Sequence, residues 1–422
     1  MRFARFILTA VGLSLAAGCG ERAPEGATVL RAARLYASPD TQPIGDAAIL
    51  VVDGKIAAAG PADEIATRGA DELLAACDGG VVVAGFQNSH VHFTEPKFAD
   101  AQAKPAAELE AAMTDMLNRF GFTTVVDTAS ELANTVALRA RIESGEIAGP
   151  RILTAGFGLY PKDGIPIYIR DLPAELLAKL PQPASVEQAV SQVQANLDGG
   201  ANATKLFLMT PQGAGRYAFM QPDIALAAAD ETHRRDLPVL AHPTDIEGIN
   251  IAIEAGVDIL VHTTMGDGKT VWDAALIEQM LAKDMAVVPT LMLFPYELRR
   301  MDLEPRIVEA ATSDAVEQVR AWSNAGGQVL FGTDVGYMSD YDPSEEYRLM
   351  ARTLTPMQIL ASLTTAPAAR WDEEAVRGRV AEGLAADLVV LDADPAADAA
   401  NFARVRCTIR GGRVTHAPAA AE

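Results

Sequence analysis

The sequence predicts an α/β protein in which a (β/α)8 TIM barrel carries a small β-sandwich domain built from both ends of the chain. Two observations indicate this architecture. Between residues 85 and 375, short apolar segments alternate with helical segments, which is the alternation typical of a (β/α)8 barrel. The flanks, 27–84 and 376–416, contain only strand-like segments, and neither flank alone has enough strands to cover a hydrophobic face.

Composition limits the kinds of partner. The 422 residues suit a large barrel with an accessory domain, and an apolar fraction of 49% is ample for its core. There are 35 Lys and Arg residues against 56 Asp and Glu residues, a net charge of −21 with no basic cluster. We therefore expect a small-molecule substrate and no nucleic-acid partner, while a homo-oligomer stays open.

The N-terminus is predicted to be a lipoprotein signal peptide, residues 1–18. Two arginines precede the apolar stretch Phe6–Ala17, which is too short and wrongly flanked for a membrane span. The sequence Leu-Ala-Ala-Gly-Cys that ends at Cys19 resembles a bacterial lipobox, which implies cleavage before Cys19 and a lipid on its sulfur. Residues 19–26 would form a tether, so we expect a periplasmic or cell-envelope protein that reaches the membrane only through this lipid anchor. An ordinary signal peptide that contains a cysteine is the alternative.

Two further cysteines, Cys77 and Cys407, lie in the two flanks. An oxidising compartment would permit a disulfide between them. We expect two buried free thiols instead, because the sequence alone does not bring the two positions within bonding reach.

The β-sandwich domain is predicted from short apolar or alternating runs with tight turns between them. Asp53-Gly54 and Gly411-Gly412 are strong hairpin signals. The predicted strands are Thr28–Leu35, Ala47–Val52, Lys55–Ala59, Ala386–Asp392, Val405–Arg410 and Arg413–Thr415.

The barrel is predicted from eight strands in alternation with helices. Its first strand is the β-branched run Val81–Ala84, which leads into the polar stretch Gly85–Pro96. The next seven strands are Thr123–Asp127, Arg151–Ala155, Ala203–Leu208, Pro238–His242, Asp258–His262, Ala286–Leu291 and Val329–Asp334. The helical segments are Ala106–Phe120, Ser185–Leu197, Pro222–Arg235, Thr244–Ala255, Asp273–Lys283 and Ser313–Ala325. A doubly wound open sheet would have a glycine-rich dinucleotide turn after its first strand, and the sequence has none.

Polar residues stand at the carboxyl ends of these strands, where a barrel carries its active site. His90 and His92 are two residues apart, so both imidazoles leave a strand on the same side and can hold one cation. Only six histidines occur in the chain, and two more of them end the fifth and sixth strands. Together with the fourth and eighth strands, the set is His90, His92, Lys205, His242, His262 and Asp334.

Lys205 conflicts with a metal site while it is an ammonium group, which has no lone pair for a cation. At about 4 Å it would be repelled by a dication by roughly 8 kcal/mol at an effective dielectric constant near 20. Either its side chain faces away or it is no longer a cation.

Taken together, the set resembles the amidohydrolase superfamily, and specifically its imidazolonepropionase-like proteins and metallo-dipeptidases. The resemblance also covers the second and third strands, Gly121–Val125 and Gly149–Leu153, and the return into the flank, Gly383–Asp392. It implies that carbon dioxide carboxylates Lys205 and that the resulting carbamate bridges two divalent metal ions, of which zinc is the expected kind. By position, His90, His92 and Asp334 would hold one ion, and His242 and His262 would hold the other.

The implied activity is hydrolysis of a C–N bond in a small substrate such as a dipeptide or an N-acyl amino acid. Two metal ions would bring the pKa of a bridging water toward neutrality, and Asp334 would serve as the catalytic proton shuttle. Asp127 and Thr333 are candidates for orienting the imidazoles. Among the residues of the long loops after the third and fourth strands, Tyr217 is our choice for binding a substrate carboxylate. Many dipeptidase-like relatives carry a histidine in the loop after the third strand, and this chain has none between His92 and His233.

Two other functions stay open at this point. One is a mononuclear cyclic-amide hydrolase or deaminase in which Lys205 is a bystander. The other is a periplasmic binding lipoprotein that keeps the barrel without turnover.

Overall fold

The structure is a computed structural model that describes residues 22–213, 215–264 and 272–419. The predicted signal peptide and the lipobox residue Cys19 lie outside these residues. Within the described ranges, no helix has both the length and the apolar character needed to cross a bilayer. The fold is mixed α/β, as the alternation of segments predicts.

Eighteen strands are described, and most of them have the predicted bounds within three residues. They are β1 Thr28–Leu35, β2 Ile44–Val52, β3 Lys55–Pro61, β4 Asp71–Glu72, β5 Gly80–Ala84, β6 Phe86–Val91, β7 Phe122–Asp127, β8 Arg151–Thr154, β9 Thr204–Phe207, β10 Met209–Gly213, β11 Arg216–Phe219, β12 Val239–His242, β13 Ile259–Val261, β14 Ala286–Val288, β15 Gln328–Val329, β16 Leu388–Leu391, β17 Val405–Arg410 and β18 Arg413–His416.

Strands from both ends of the chain share one sheet, in the order β18-β17-β16-β5-β1-β2-β3, with β4 paired to β1. Asp53 and Gly54 both have left-handed backbone angles, φ 49° and 76°, which suit the two central residues of a tight hairpin turn. Strands β5 and β16 pair antiparallel, with Val83 opposite Val389. The terminal strands described here form this single sheet, so a sandwich of two packed sheets stays a prediction.

The prediction for the first barrel strand is wrong. Val81–Ala84 belongs to β5 of the shared sheet, and the strand that leads to His90 is β6. The chain changes sheets at Gly85, where a side chain would lie 2.2 Å from the Thr123 hydroxyl oxygen. The sequence does not mark the boundary between the two strands, because only Gly85 separates them and both are buried.

Cys77 and Cys407 form a disulfide, so the expectation of free thiols is wrong. The two residues are 330 positions apart in the chain, but their Cα atoms lie 5.7 Å apart, which is an ordinary separation for bonded cysteines. Sequence reasoning could not supply this proximity, because it results from the pairing of the two chain ends in one sheet.

The remaining parallel strands form two further sheets, β6-β7-β8 and β9-β12-β13-β14-β15. Backbone hydrogen bonds join these sheets at both borders. At one border the amide of Leu159 donates to the carbonyl of Lys205 at 2.8 Å. At the other, the amide of Ser89 donates to the carbonyl of Phe331 at 2.7 Å. Three of the predicted ligands, His90 in β6, Lys205 inside β9 and His242 at the end of β12, therefore lie on strands of two sheets that these hydrogen bonds connect.

Helices connect the parallel strands and cover them. Those described are α1 Ala106–Met116, α2 Leu132–Glu143, α3 Ala174–Leu177, α4 Val186–Asp198, α5 Pro222–His233, α6 Ile246–Ala255, α7 Ala274–Ala282, α8 Leu293–Arg300, α9 Pro305–Asn324, α10 Ser344–Met350, α11 Pro356–Leu363 and α12 Thr365–Arg370. Helix α9 begins eight residues before the predicted start, because Pro305 occupies its first turn. The fully buried Trp322 of α9 fixes this helix against β15, since its indole N–H donates to the carbonyl of Gln328 at 2.9 Å.

A carboxyl group is buried where α10 meets the start of α8. The Glu346 carboxylate accepts a hydrogen bond from the amide of Met292 at 2.7 Å through one oxygen, and its other oxygen has no partner among the described residues. Burial raises the pKa of Glu346 from 4.5 to about 8, although the Met292 amide acts in the opposite direction. The folded protein therefore holds a proton that the unfolded chain releases near pH 4.5.

The sign of this effect gives a stability prediction. The contribution of Glu346 to the free energy of unfolding is complete below pH 4.5 and is lost as pH rises through about 8. The loss is on the order of 3–5 kcal/mol. We expect Glu346→Gln to reduce the drop in melting temperature between pH 5 and pH 8, because the amide cannot ionise. Glu345→Gln, at the adjacent and partly exposed position, should reduce that drop far less, because the charge of Glu345 is the smallest of the causes that act on the pKa of Glu346. A drop of the same size in Glu346→Gln and in the parent protein would contradict the assignment.

Candidate metal centre

His90 and His92 lie at the end of β6 with their ring nitrogens facing each other. Their Nε2 atoms are 3.3 Å apart, so both imidazoles leave on the same side of the chain, as the two-residue spacing predicts. His90 is fully buried, and His92 is nearly so.

Asp334 reaches the same point because its backbone pairs with β6. Its amide donates to the carbonyl of His90 at 2.9 Å, and the amide of His92 donates to the carbonyl of Val335 at 2.8 Å. The next turn requires Gly336, since a side chain there would lie 1.9 Å from the carbonyl oxygen of His92. Asp334 itself has a left-handed backbone angle, φ 63°, a conformation that aspartate adopts more readily than most residues other than glycine.

Three potential ligand atoms converge here. Asp334 Oδ1 lies 2.8 Å from His92 Nε2 and 3.2 Å from His90 Nε2. Ligand atoms that each lie about 2.0–2.1 Å from one tetrahedral zinc ion are about 3.3 Å apart, so the triangle fits one ion. Imidazole nitrogen and carboxylate oxygen are ligands that zinc and its neighbours accept.

His262 and His242 extend the group on one side. The His262 ring centre is 4.7 Å from that of His90 and 4.6 Å from that of His242, and His262 Nε2 is 4.0 Å from Asp334 Oδ2. The other ring nitrogen of His262 contacts the hydroxyl of Thr290 at 2.5 Å. His262 also has a left-handed backbone angle, φ 76°.

Lys205 lies on β9 with 1% of its surface exposed, and its charge acts on His90, His242 and His262. Burial lowers the pKa of Lys205 to about 7, and the Asp334 carboxylate opposes this shift in part. The Lys205 side chain therefore faces the predicted metal ligands. Of the two possibilities that the sequence left open, a lysine that faces away from the site is excluded.

The imidazoles of His90, His242 and His262 are uncharged at neutral pH. Burial lowers the pKa of each well below 6.5, and the charge of Lys205 lowers it further. Neutral imidazole is the form that binds metal ions. The structure thus brings these three imidazoles together in their neutral form, with His92 and Asp334 beside them.

Other predicted residues take no part in this group. Tyr217 lies on β11 with 45% of its surface exposed, and no hydrogen bond or ring contact within the described ranges joins it to the set. The Asp127 carboxylate accepts hydrogen bonds from the hydroxyls of Ser130 at 2.5 Å and Thr154 at 2.7 Å. The Thr333 hydroxyl accepts a hydrogen bond from the side chain of Asn88. Within the described residues, neither Asp127 nor Thr333 forms a hydrogen bond to an imidazole of the group.

Aromatic side chains lie beside this group, and Tyr160 and Tyr168 among them come from the long loop after the third barrel strand, one of the two loops that the sequence offers for substrate contacts. Phe207 stacks on Tyr160 at 4.2 Å between ring centres and on His242 at 5.3 Å. Tyr168 of the loop after β8 contacts Tyr337, three residues after Asp334, edge to face at 5.7 Å. Only the position of these residues after strand ends could have indicated that they lie beside the metal centre, because isolated tyrosines in loops usually pack locally.

Comparison with known proteins decides the family. A model described as the amidohydrolase family matches residues 81–415. The chain belongs to the amidohydrolase family. As a member, it is a metal-dependent hydrolase, and the resemblance stated from the sequence is confirmed. No curated protein matches this amidohydrolase.

Solved structures agree on the fold. A candidate prolidase from Bifidobacterium longum is 24% identical with a TM-score of 0.75, covering 94% of this chain and 96% of its own. Ochratoxinase of A. niger is 20% identical with a TM-score of 0.76, covering 94% and 97%. A Xaa-Pro dipeptidase with bound methionine is 19% identical with a TM-score of 0.74, covering 92% and 99%. At these identities the likeness establishes the fold of this amidohydrolase and leaves its substrate to other evidence.

Proposed function

We propose that this amidohydrolase cleaves a C–N bond, amide or peptide, in a small substrate such as a dipeptide or an N-acyl amino acid. The convergence of His90, His92 and Asp334 within 3.3 Å of one another carries the proposal. Neighbours described as a prolidase and a Xaa-Pro dipeptidase support a peptide-like substrate.

We propose further that the eight parallel strands β6 to β9 and β12 to β15 close into one (β/α)8 barrel. The backbone hydrogen bonds at both borders between the two parallel sheets support closure, and neighbouring family members share the overall fold. The ends of β6, β9 and β12 would then carry the ligands at one mouth, as barrels do. An experimental structure with a gap at either border would contradict closure.

We propose that the centre holds two divalent ions. His90, His92 and Asp334 would hold the first, His242 and His262 the second, and a carbamate on Lys205 would bridge them. When bound, the ions would polarise the scissile carbonyl and bring the pKa of a bound water toward neutrality.

Asp334 has a free oxygen for the proton. Its Oδ1 contacts both histidines of β6, whereas Oδ2 lies 4.0 Å from the nearest ring nitrogen of His262. We propose that Oδ1 is the ligand oxygen and that Oδ2 receives a proton from the attacking water and delivers it to the leaving amine.

A mononuclear enzyme is the second candidate, and one observation favours it. Among the described histidine, cysteine and acidic residues, His90, His92 and Asp334 form a group of three whose ligand atoms lie within 4.8 Å of one another, and no such group of three includes His242 or His262. In that case Lys205 would be a bystander and the substrate a cyclic amide or an amine to be deaminated.

Metal analysis combined with a substrate screen tests the proposal. We expect about two zinc ions per chain and hydrolysis of members of a library of dipeptides and N-acyl amino acids. One ion per chain, with activity toward cyclic amides, would support the mononuclear candidate. A metal-loaded protein that hydrolyses no C–N bond in the library would overturn the proposed dipeptide or N-acyl amino acid hydrolase.

Tyr217 is the proposed contact for the carboxylate of the substrate. Its exposed hydroxyl stands on the hairpin β10–β11 that follows β9, at the ligand-bearing ends of the strands. We expect Tyr217→Phe to raise KM about tenfold for substrates with a free carboxylate, the effect of losing one hydrogen bond to a charged group. The matching C-terminal amides serve as controls and should keep their KM. An equal change for acid and amide would contradict the role.

A further inference from the structure

Thr290 contacts His262 on the side opposite the other ligands. The hydroxyl oxygen of Thr290 lies 2.5 Å from His262 Nδ1 and 2.8 Å from the carbonyl oxygen of Pro289. Thr290 is fully buried. The contact is therefore shielded from water, which could otherwise exchange with either partner.

The hydrogen-bond chemistry assigns the proton between them. A hydroxyl has one proton, and a carbonyl oxygen can only accept. Both contacts are satisfied at once when Thr290 donates to Pro289 and accepts from the ring, an arrangement that places a proton on His262 Nδ1. A neutral imidazole carries one N–H, which leaves the lone pair on Nε2. Nε2 is the nitrogen that faces Asp334 Oδ2 at 4.0 Å.

The backbone supports a role for this contact. Thr290 has φ 45° and His262 has φ 76°. A β-branched residue in the left-handed region is a real outlier that persists only where the surrounding structure imposes it. The chain keeps this conformation at Thr290, two residues after β14 ends, where it directs the hydroxyl at His262.

The other histidines of the group lack an equivalent contact within the described ranges. His90 Nδ1 is buried without a hydrogen-bond partner among the described residues. Its ring is placed instead by the neighbouring His92 and Asp334. His262 is 4.0 Å from the nearest carboxylate oxygen, so its ring depends on Thr290 for orientation.

We propose that Thr290 is a positioning residue that holds His262 as its Nδ1–H tautomer and directs the Nε2 lone pair into the metal centre. The consequence for metal binding rests on the proposed function. Rotation of the ring about the Cβ–Cγ bond would break the hydrogen bond to Thr290 and remove Nε2 from the site. Partners of this kind fix ligand tautomers, and their loss costs about 10–100-fold in metal affinity.

The test compares Thr290→Val with Thr290→Ser. Valine keeps the β-branched shape and lacks the hydroxyl, whereas serine keeps the hydroxyl. Chelator competition with zinc should give an affinity about 10–100-fold weaker for Thr290→Val and close to that of the parent protein for Thr290→Ser. Equal zinc affinity of the parent protein and Thr290→Val would overturn the proposal.

A second measurement needs neither metal nor substrate. Ring-nitrogen NMR of the metal-free protein, with His262 identified from the signal lost in His262→Gln, should show the Nδ1–H tautomer in the parent and a mixture or a switch in Thr290→Val. An Nε2–H tautomer in the parent would overturn the proposal even if Thr290→Val failed to fold. A parent protein that shows the Nδ1–H tautomer and binds no zinc would contradict the proposed function and leave the tautomer assignment supported.

Discussion

Asp334→Asn should lower kcat by about 10²–10⁴-fold, the usual contribution of a positioned general acid–base group. Asparagine matches the size of aspartate and tolerates the left-handed backbone at φ 63°, so the fold should persist. The amide keeps an oxygen that can face His90 and His92 but cannot receive a proton at the position of Oδ2. Steady-state kinetics on the best substrate of the screen, with metal content measured on the same sample, checks this.

The matched control is Asp302→Asn. Asp302 is exposed and also has a left-handed backbone angle, φ 56°, so it undergoes the same chemical change in the same backbone conformation away from the metal centre. We expect unchanged kcat and metal content there. Asp334→Asn with full metal content and turnover near that of the parent would rule out the proton shuttle.

Lys205→Ala should remove most metal and lower kcat by at least about 10³-fold, since a metal centre supplies several kcal/mol of transition-state stabilisation. Lys205 is fully buried and acts electrostatically on three histidines of the group. Removing its side chain would take away the bridging group and leave His242 and His262 with no shared anion. Metal analysis after reconstitution with zinc measures the loss.

Lys205→Met separates bridging from packing, because methionine fills a similar volume without a nitrogen. Both variants should lose metal, and added acetate should restore part of it only in Lys205→Ala, where a small carboxylate can enter the space. If Lys205→Met binds metal and turns over substrate like the parent protein, Lys205 is a bystander, and the result supports the mononuclear enzyme.

The sequence predicted the strands well where polarity marks their ends. Strands β1 and β17 have the predicted bounds, and Asp53-Gly54 forms the predicted hairpin. The metal-centre residues were predictable because a histidine that ends an apolar run, or a lysine inside one, must be buried, and a buried ionisable group needs a partner. Their convergence then follows from parallel strands whose carboxyl ends meet on one side.

Contacts between distant segments were not predictable in the same way. The disulfide depends on which strands neighbour each other, and no local pattern states that. Thr290 follows an apolar run just as many solvent-exposed threonines do, so only the distance to His262 distinguishes it. Helix α11 is different: its Thr355-Pro356 start with Gln358 forms a capping box, a local signal that could have predicted it.

The single sheet shared by both chain ends has a consequence for biosynthesis. Strand β5 can pair with β16 only after the ribosome has translated the metal-binding portion that lies between them. The bonded cysteines beside these strands show the length of that portion, since they are 330 residues apart in the chain. Until then the first strands leave the ribosome with an open edge and an uncovered apolar face, and such edges promote aggregation. A truncated nascent chain could retain every metal ligand and still lack the pairing that covers its beginning.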